Sequence, residues 1–518
     1  MSEASRAHRS IVNGMVSVFS YLFLMLSSFL TRGVFMRELG LTMVGVDGLF
    51  QSMVSLLSVV ELGLSAGILY KLYGPIARRD TEKIAVLLRF YRRAYLAVGG
   101  ALLTSGLILS CFVWVFVKEP FDRGMLAVLF LFYVFDVLCS YLFAHKRAML
   151  TADQRNYINN IVHAACQGLA CALQIAVLVF WRSLLWYLVI KVLLRLSESV
   201  IIAVCYQRRY GAWIPLKSKE ALPNGEKRAL FKNIRAMLLH RVSGFCAQSA
   251  AGLILSRGLS LAAVGIYSSY TMITNGLITL TNQLFSGVTA SFGALLATKN
   301  KERITKRFFS LFFLNHLLYS FLASALISLL PAFVALWLGE EAVLPLSTTA
   351  LFVLYFYLSG MRQTVYLARV SAGVYRPDRY FAVMEAALYI ALSVALVGPM
   401  GIDGILLAGI LSVLLVPFWV QPRLVCKKVL GQGAGPYFKR YALYFLLTAF
   451  SAGATLLLCR ALPARGGAER LIINGLAALA VPNGVNLLLF WRSPELRYLK
   501  GEAAGFLSKI IHKGRNEL

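Results

Sequence analysis

Three ionisable residues lie in the middle of an apolar stretch, where their types and spacing favour the binding of an anion. Within WYLVIKVLLRLSESV, Lys191, Arg195 and Glu198 occupy positions i, i+4 and i+7, which fall on one face of a helix. One explanation is an internal salt bridge that only holds helices together. The two cations outnumber the single acid, however, so the sequence favours the lining of a cationic cavity.

A second polar pattern occurs in a later apolar stretch. Tyr355, Arg362 and Arg369 recur at seven-residue spacing, and Gln363 stands beside Arg362. Arg369 is close enough to the end of its stretch to extend its charge to water. Arg362 is not, so it is predicted to bind the same anion together with Gln363.

Arginines also stand within or at the ends of two other apolar stretches. Arg-Gly pairs occur at 32–33 and 257–258, and Arg241 precedes Gln248 by seven residues. The two pairs match each other in the internal repeat described below if about five residues are gapped. Arg32, Arg241 and Arg257 are further candidates for anion binding, while Arg32 or Arg257 could equally anchor a helix at a membrane interface.

Carboxylates inside apolar stretches are candidates for coupling to a cation. Five acids qualify, namely Asp47, Glu61, Asp136, Glu198 and Glu385. Glu61, Glu198 and Asp47 are the predicted ion-coupling residues. Glu61 is the first candidate because the repeat aligns it with Thr281, which is not an acid. The alternative is that Glu61 pairs with a cation. Asp47 and Glu385 lie near the ends of their stretches, where a hydrated structural role is the alternative.

The composition requires membrane helices to position these residues. The chain has 518 residues, of which 59% are hydrophobic and only 14% charged, and its mean hydropathy is +0.71. Too few polar residues remain to cover a soluble protein of this length. The net charge of +29 comes from short segments between apolar stretches, which the positive-inside rule explains without nucleic acid. No motif of catalysis, metal binding or cofactor binding is present, so the chain is predicted not to be an enzyme.

Fourteen stretches approach the roughly 20 residues that a membrane-spanning helix requires. Their approximate bounds are 11–34, 44–72, 94–116, 125–145, 157–180, 184–206, 236–257, 262–296, 309–334, 343–369, 381–399, 402–425, 441–460 and 471–490. The basic segments follow the even-numbered helices, which predicts that these segments and both termini are cytoplasmic.

An internal repeat divides the chain. Residues 41–84 and 261–304 align without a gap, with nine of forty-four positions identical and with similar endings, ARRDTEKI and ATKNKERI. This offset predicts two six-helix lobes, 1–206 and 236–426, joined by a cytoplasmic linker at 207–235. Residues 427–518 then hold a loop, two added helices and a tail.

Several short motifs carry a family resemblance that covers most of the chain. They are Arg32-Gly33 followed by Glu38-Leu39-Gly40, the segments 45–50 (GVDGLF), 61–64 (ELGL), 152–157 (ADQRNY) and 264–270 (VGIYSSY). The sequence thereby resembles the Wzx-type oligosaccharide or polysaccharide flippases of the multidrug, oligosaccharidyl-lipid and polysaccharide exporter superfamily.

The resemblance implies a V-shaped arrangement of two lobes around a central cavity rich in Arg and Lys. It also implies alternating access that moves an undecaprenyl-pyrophosphate-linked oligosaccharide across the inner membrane of a bacterium, driven by H+, Na+ or the membrane potential. Membrane lipids, a polysaccharide polymerase and other biosynthetic proteins are the expected partners. Family members often have an acid in helix 7, whereas CAQSAAGLILSRG has none, which leaves the coupling ion open.

Two other functions compete with this interpretation. A multidrug or cation antiporter of the same superfamily would need an acidic and aromatic pocket for lipophilic cations, whereas the buried charges here are mostly basic. A membrane glycosyltransferase or polysaccharide polymerase would need a sizeable extracytoplasmic loop with catalytic residues. No predicted loop on that side exceeds about a dozen residues.

Overall fold

The computed structural model describes residues 3–58, 61–212, 249–298, 300–374, 379–463 and 466–501, with residues 214 and 225 between the second and third ranges. These residues form helices and connecting turns, and none of them lies in a strand. The helices are α1 (Glu3–Leu57), α2 (Glu61–Arg78), α3 (Thr81–Ser110), α4 (Arg123–Tyr141), α5 (Ala144–Ala152), α6 (Asn156–Trp181), α7 (Leu184–Tyr210), α8 (Leu261–Ala297), α9 (Lys301–Leu338), α10 (Leu346–Met361), α11 (Gln363–Ser371), α12 (Arg379–Met400), α13 (Ile402–Leu415), α14 (Pro417–Val425), α15 (Gly435–Ala461) and α16 (Gly467–Phe490). Residues 249–258 are also helical.

The predicted all-α membrane protein is confirmed. Nine helical stretches of the described residues are long and apolar enough to cross a bilayer. The helix α7 is not among them, because Lys191, Arg195 and Glu198 interrupt its apolar sequence. The seventh predicted span, 236–257, is described only from residue 249 onward.

The predicted repeat has a structural counterpart at the ends of its helices. The backbone leaves the helical region at Gly40, with φ 81° and ψ 170°, so residues 41–57 form a separate helical segment within α1. Further along, the Asp80 side chain caps α3 by accepting from the Lys83 amide, and Asn300 caps α9 by accepting from the Arg303 amide. Asp80 and Asn300 are 220 residues apart, as are Lys83 and Arg303, and 220 residues is the offset of the repeat.

Two predicted spans are broken. The span 343–369 divides at Arg362 into α10 and α11, and the span 402–425 divides at Val416 into α13 and α14. Pro417 begins α14, where its missing N–H removes the bond that would continue α13. Such interruptions bring irregular backbone to membrane depth, where it is tolerated only if it is buried or lines a cavity.

The chain separates into two compact units. Unit 1 comprises Met1–Thr271 with Ser393–Gly401, and unit 2 comprises Met272–Leu392 with Ile402–Leu518. The predicted boundaries 1–206, 207–235, 236–426 and 427–518 stay a prediction, since residues 213, 215–224 and 226–248 lie outside the described part of the chain.

The two added helices, α15 and α16, pack on α9 within unit 2. The contact combines stacked aromatic rings with buried hydrogen bonds. His316 stacks on Tyr444, with ring centroids 4.2 Å apart, and its Nε2 lies 2.9 Å from Asn486 Oδ1. Near the opposite end of α16, Asn474 Nδ2 donates to the Ser328 carbonyl at 2.7 Å. Because a buried amide must find a partner, these bonds fix the register of α16 against α9.

Candidate functional site

The predicted cationic face of α7 is fully ion-paired within unit 1. The Arg195 guanidinium donates from Nε to Asp136 Oδ1 at 3.2 Å and from Nη1 to Glu198 Oε2 at 3.0 Å. Lys191 Nζ lies 3.8 Å from Asp136 Oδ2 and 4.4 Å from the centre of the Tyr133 ring. The second acid, Asp136 on α4, therefore supplies a partner for the positive charge that α7 alone leaves unpaired.

Glu198 is the most heavily bonded acid of this cluster. Its residue is 2% exposed. Besides Arg195, it accepts from Arg147 Nη2 on α5 at 2.8 Å and faces His163 Nδ1 on α6 at 3.0 Å. Arg147 and His163 were not predicted as site residues, and their own sequence neighbourhoods gave no signal, because each reaches Glu198 from a different helix.

These residues surround a small cavity of about 130 Å³ in unit 1. Its charged lining consists of Lys191 and Arg195 with Asp136 and Glu198. The four lining charges cancel one another, while Arg147, which also pairs with Glu198, leaves the surrounding cluster with one more cation than acids.

Arg32 and Asp47 form a second buried pair in unit 1. Arg32 Nη1 lies 2.6 Å from Asp47 Oδ2, and their side chains are 10% and 9% exposed. Asp47 also accepts from Tyr133 Oη at 2.6 Å and from Gln51 Nε2 at 2.8 Å. The remaining donors of Arg32 reach the hydroxyls of Ser268 and Ser269 on α8. Asp47 is thus a bonded partner of Arg32.

The contacts between α1 and α8 are reciprocal. A Cβ at Gly265 would lie 2.8 Å from the Leu41 carbonyl oxygen, and a Cβ at Gly45 would overlap the Leu261 carbonyl. Gly45 and Leu41 lie 220 residues before Gly265 and Leu261, so the repeat converts each of these contacts into the other. Both glycines are therefore needed for the close approach of the two backbones.

The same register corrects the expected match between Arg32 and Arg257. Arg32 contacts Ser268, and Gly252 lies closest to Ser52 and Gly48, so the ungapped offset places Gly252 opposite Arg32 in the repeat. The alignment that pairs Arg32 with Arg257 across a five-residue gap is wrong, because the contacts of Arg32 correspond to those of Gly252. Arg257 is exposed and forms no ion pair among the described residues, so the structure does not bring it to Arg32.

Unit 2 holds a larger cavity with basic character. Its volume is about 500 Å³, and it lies beside the break between α10 and α11. The polar side chains around it, which define the basic cavity, include Asn282, Ser359, Arg362, Gln363, Arg369 and Gln421. None of its described lining residues is acidic. The structure thus places Arg362 and Gln363 at this cavity together with the buried Arg369, which the sequence placed near a helix end.

Arg362 is held by an acid that is not part of the lining. Its Nη1 lies 2.9 Å from Glu385 Oε1, and its Nη2 lies 3.5 Å from Glu385 Oε2. The Gln421 amide, with its oxygen turned toward the two arginines, accepts from Arg362 Nη2 and Arg369 Nη1 at 3.3 Å. The Gln421 amide therefore links the two guanidinium groups, and Glu385 pairs with Arg362.

The other predicted residues fall outside these clusters. Glu61, at the start of α2, accepts from Tyr95 Oη at 3.5 Å and forms no ion pair among the described residues. Arg241 and Gln248 lie outside the part of the chain that the structure describes.

A third cavity, in unit 2, is apolar. It has a volume of about 300 Å³ and lies between α8, α9 and α16. Its lining includes Leu284, Leu314, Leu318, Phe321 and Leu479, with Asn483 as a polar member. Such a surface fits hydrocarbon.

Solved structures with this fold are membrane transporters. The lipid II flippase MurJ in an inward closed conformation aligns with a TM-score of 0.69 and 12% sequence identity over 93% of this chain and 99% of that one. An inward-facing multidrug resistance MATE transporter of the MOP superfamily gives 0.60 and 14% over 80% and 99%. A Vibrio cholerae MATE transporter gives 0.54 and 14% over 82% and 99%. No protein-family model matches the sequence, and no curated protein matches it. The chain therefore has the fold of MOP-superfamily transporters.

Proposed function

We propose that this protein is a flippase that moves an undecaprenyl-pyrophosphate-linked oligosaccharide across the bacterial cytoplasmic membrane by alternating access. The observation that carries the proposal is the basic cavity of unit 2, where Arg362 and Arg369 line a space of about 500 Å³ whose described lining residues include no acid. The shared fold with a lipid II flippase supports the same transport class.

The chemistry of the basic cavity suits a diphosphate attached to a sugar. Arginine binds phosphate through two parallel hydrogen bonds, and a partly buried guanidinium is weakly hydrated and ready to exchange partners. The amides of Gln363, Gln421 and Asn282 offer donors and acceptors for phosphate or sugar hydroxyl oxygens. The apolar cavity of the same unit supplies a surface for a hydrocarbon tail.

A multidrug antiporter is the second candidate, because MATE transporters share the fold. A pocket for lipophilic cations needs negative charge, whereas the basic cavity presents two guanidinium groups and no acid among its described lining residues. The charge of the cavity therefore favours an anionic substrate.

Lys191, Arg195 and Arg32 enter this proposal in a different way. Asp136 and Glu198 neutralise the first two, and Asp47 neutralises the third. They can bind a headgroup only in a conformation that exchanges these acids for phosphate. Alternating access supplies such an exchange if the ligand binds one conformation better than the other.

Complementation of a flippase-deficient bacterial strain tests the proposal. Arg362→Ala and Arg369→Ala should abolish growth or polysaccharide export, and Arg362→Lys should weaken it because lysine cannot reproduce the paired hydrogen bonds. A loss of about 1.4 kcal/mol in binding corresponds to a tenfold weaker affinity, so a defect of at least that size is expected for the alanine variants. Protein levels in the membrane are measured in parallel.

Arg303→Ala is the matched control, because Arg303 is exposed in the same unit and lies outside the basic cavity. It should complement like the wild type. Full complementation by both alanine variants at normal protein levels would place the headgroup site elsewhere and remove the basis of the proposal.

A further inference from the structure

Glu385 occupies the hydrogen-bonding face of Arg362, the arginine to which the proposed ligand would bind. Both of its carboxylate oxygens face the Arg362 guanidinium, at 2.9 and 3.5 Å. The Arg362 and Glu385 side chains are 26% and 23% exposed, so the pair is within reach of water and of a ligand. A carboxylate in this fork geometry resembles a phosphate that is already bound.

We propose that Glu385 is a built-in competitor for the substrate diphosphate at Arg362, and that it takes up a proton when the diphosphate displaces it. This inference rests on the proposed function, which supplies the diphosphate. It assigns Glu385 a coupling role in place of the hydrated structural role that its position near a span end suggests.

The competition follows from the geometry of the guanidinium group. A fork of two N–H donors directed at one anion cannot serve a second anion in the same direction. The hydrogen bonds from Arg362 to Glu385 therefore break as hydrogen bonds from Arg362 to a phosphate form. A diphosphate carries more charge than one carboxylate, so it competes effectively.

The surroundings of Glu385 favour proton uptake after displacement. The charged or titratable groups that face it from neighbouring elements of the described chain are Arg362 at the α10–α11 break and the Tyr355 phenol on α10. Arg369 is connected to Arg362 through Gln421. A partly buried carboxylate that loses its cation, with an anionic ligand beside it, is stabilised by binding a proton.

Displacement also has a mechanical consequence. The Arg362–Glu385 pair joins α12 to the junction of α10 and α11. Ligand binding releases this connection and adds one proton to the same unit. Headgroup binding, proton uptake and the freedom of α12 are thereby linked in one exchange reaction.

Calorimetry on the purified full-length protein tests the exchange. Undecaprenyl pyrophosphate without sugar is titrated in two phosphate-free buffers of different ionisation enthalpy at the same, near-neutral pH. The buffer dependence of the binding enthalpy then gives the number of protons taken up. The wild type is expected to take up about one proton per ligand.

Glu385→Gln should bind undecaprenyl pyrophosphate about tenfold more tightly, because the competing charge is gone, and should take up no proton. Glu341→Gln, an exposed acid of the same unit, should behave like the wild type. The wild-type proton count stands even if Glu385→Gln proves unstable.

The calorimetry distinguishes failure of this inference from failure of the proposed function. Wild-type binding without proton uptake, or an unchanged proton uptake and affinity in a folded Glu385→Gln protein, overturns the role of Glu385 and leaves the proposed function intact. Sodium-dependent binding without proton uptake also overturns it. A folded wild type that binds no undecaprenyl pyrophosphate overturns the proposed function and this inference with it.

Discussion

Several cations in the described interior of this protein form an ion pair with an acid from another helix or from beyond the Gly40 kink of α1. Lys191 and Arg195 pair with Asp136 on α4, Arg32 with Asp47, and Arg362 with Glu385 on α12. Pairing lowers the free-energy cost of a charge at membrane depth. Each pair can also be broken if a charged ligand or a proton takes the place of one partner. At the scale of residues, the proposed transport would therefore be an exchange of partners.

Glu61 is the predicted coupling acid that forms no direct ion pair among the described residues: Tyr95 Oη donates to it at 3.5 Å, and Arg147 interacts with it electrostatically. We expect Glu61→Gln to lower transport at least about tenfold and to change its dependence on pH or sodium, because the variant can neither release nor bind the coupling cation. Transport assayed across a range of pH and sodium concentration checks this. Glu82→Gln, at an exposed acid, is the control. Normal transport with unaltered ion dependence would reduce Glu61 to a structural residue.

The sequence could show which residues carry charge in the membrane, but not what they contact. The common face of Lys191, Arg195 and Glu198 follows from helical periodicity, and the structure has it. The partners Asp136, Arg147 and His163 come from three other helices, and no spacing rule links residues across helices. The charge around α7 therefore depends on residues that its own sequence does not contain.

At the scale of elements, glycine decides how closely helices approach. Gly265 and Gly45 bring α1 and α8 into backbone contact, while the broken helices α10–α11 and α13–α14 frame the basic cavity. The repeat offset was readable from sequence because the apolar pattern and the basic endings recur together. The break at Arg362 was not, since LSGMRQTV contains no proline and reads as continuous helix.

Substitution at the crossing of α1 and α8 tests its importance. Gly265→Ala places a methyl group 2.8 Å from the Leu41 carbonyl oxygen, so the helices must separate. Overpacking of this kind costs about 1–3 kcal/mol, which should lower the thermal midpoint of the detergent-purified protein. Gly293→Ala, on the same helix with no atom within 4 Å of the new methyl, should leave the midpoint unchanged or raise it. Equal midpoints for the two variants would contradict the role of the crossing.

At the scale of the whole molecule, composition alone leads to the fold class. A chain that is 59% hydrophobic must satisfy its backbone inside the membrane, and helices of this length do so. The structural agreement with the lipid II flippase MurJ extends over 93% of the chain at 12% identity, so the fold depends on apolar pattern, helix ends and repeat far more than on particular residues. The substrate depends on a few side chains, which is why fold similarity leaves it as a proposal.

Membrane orientation is a property of the whole chain that the distribution of charge predicts. Between residues 207 and 235 there are eight Lys or Arg and two Glu, a net charge of 8 − 2 = +6, whereas Glu340 and Glu341 make the segment between α9 and α10 acidic. Short basic segments stay in the cytoplasm during insertion. We expect position 220 to be cytoplasmic and position 341 to be external.

Single cysteines in a variant that lacks the eight native ones can decide this orientation. In intact cells, a membrane-impermeant maleimide should label Glu341→Cys strongly and Glu220→Cys only after permeabilisation. Both positions are acidic in the native chain and become the same thiol, so the comparison reports access rather than residue chemistry. Strong labelling at 220 in intact cells would invert the orientation of every helix, because alternate loops must change sides together.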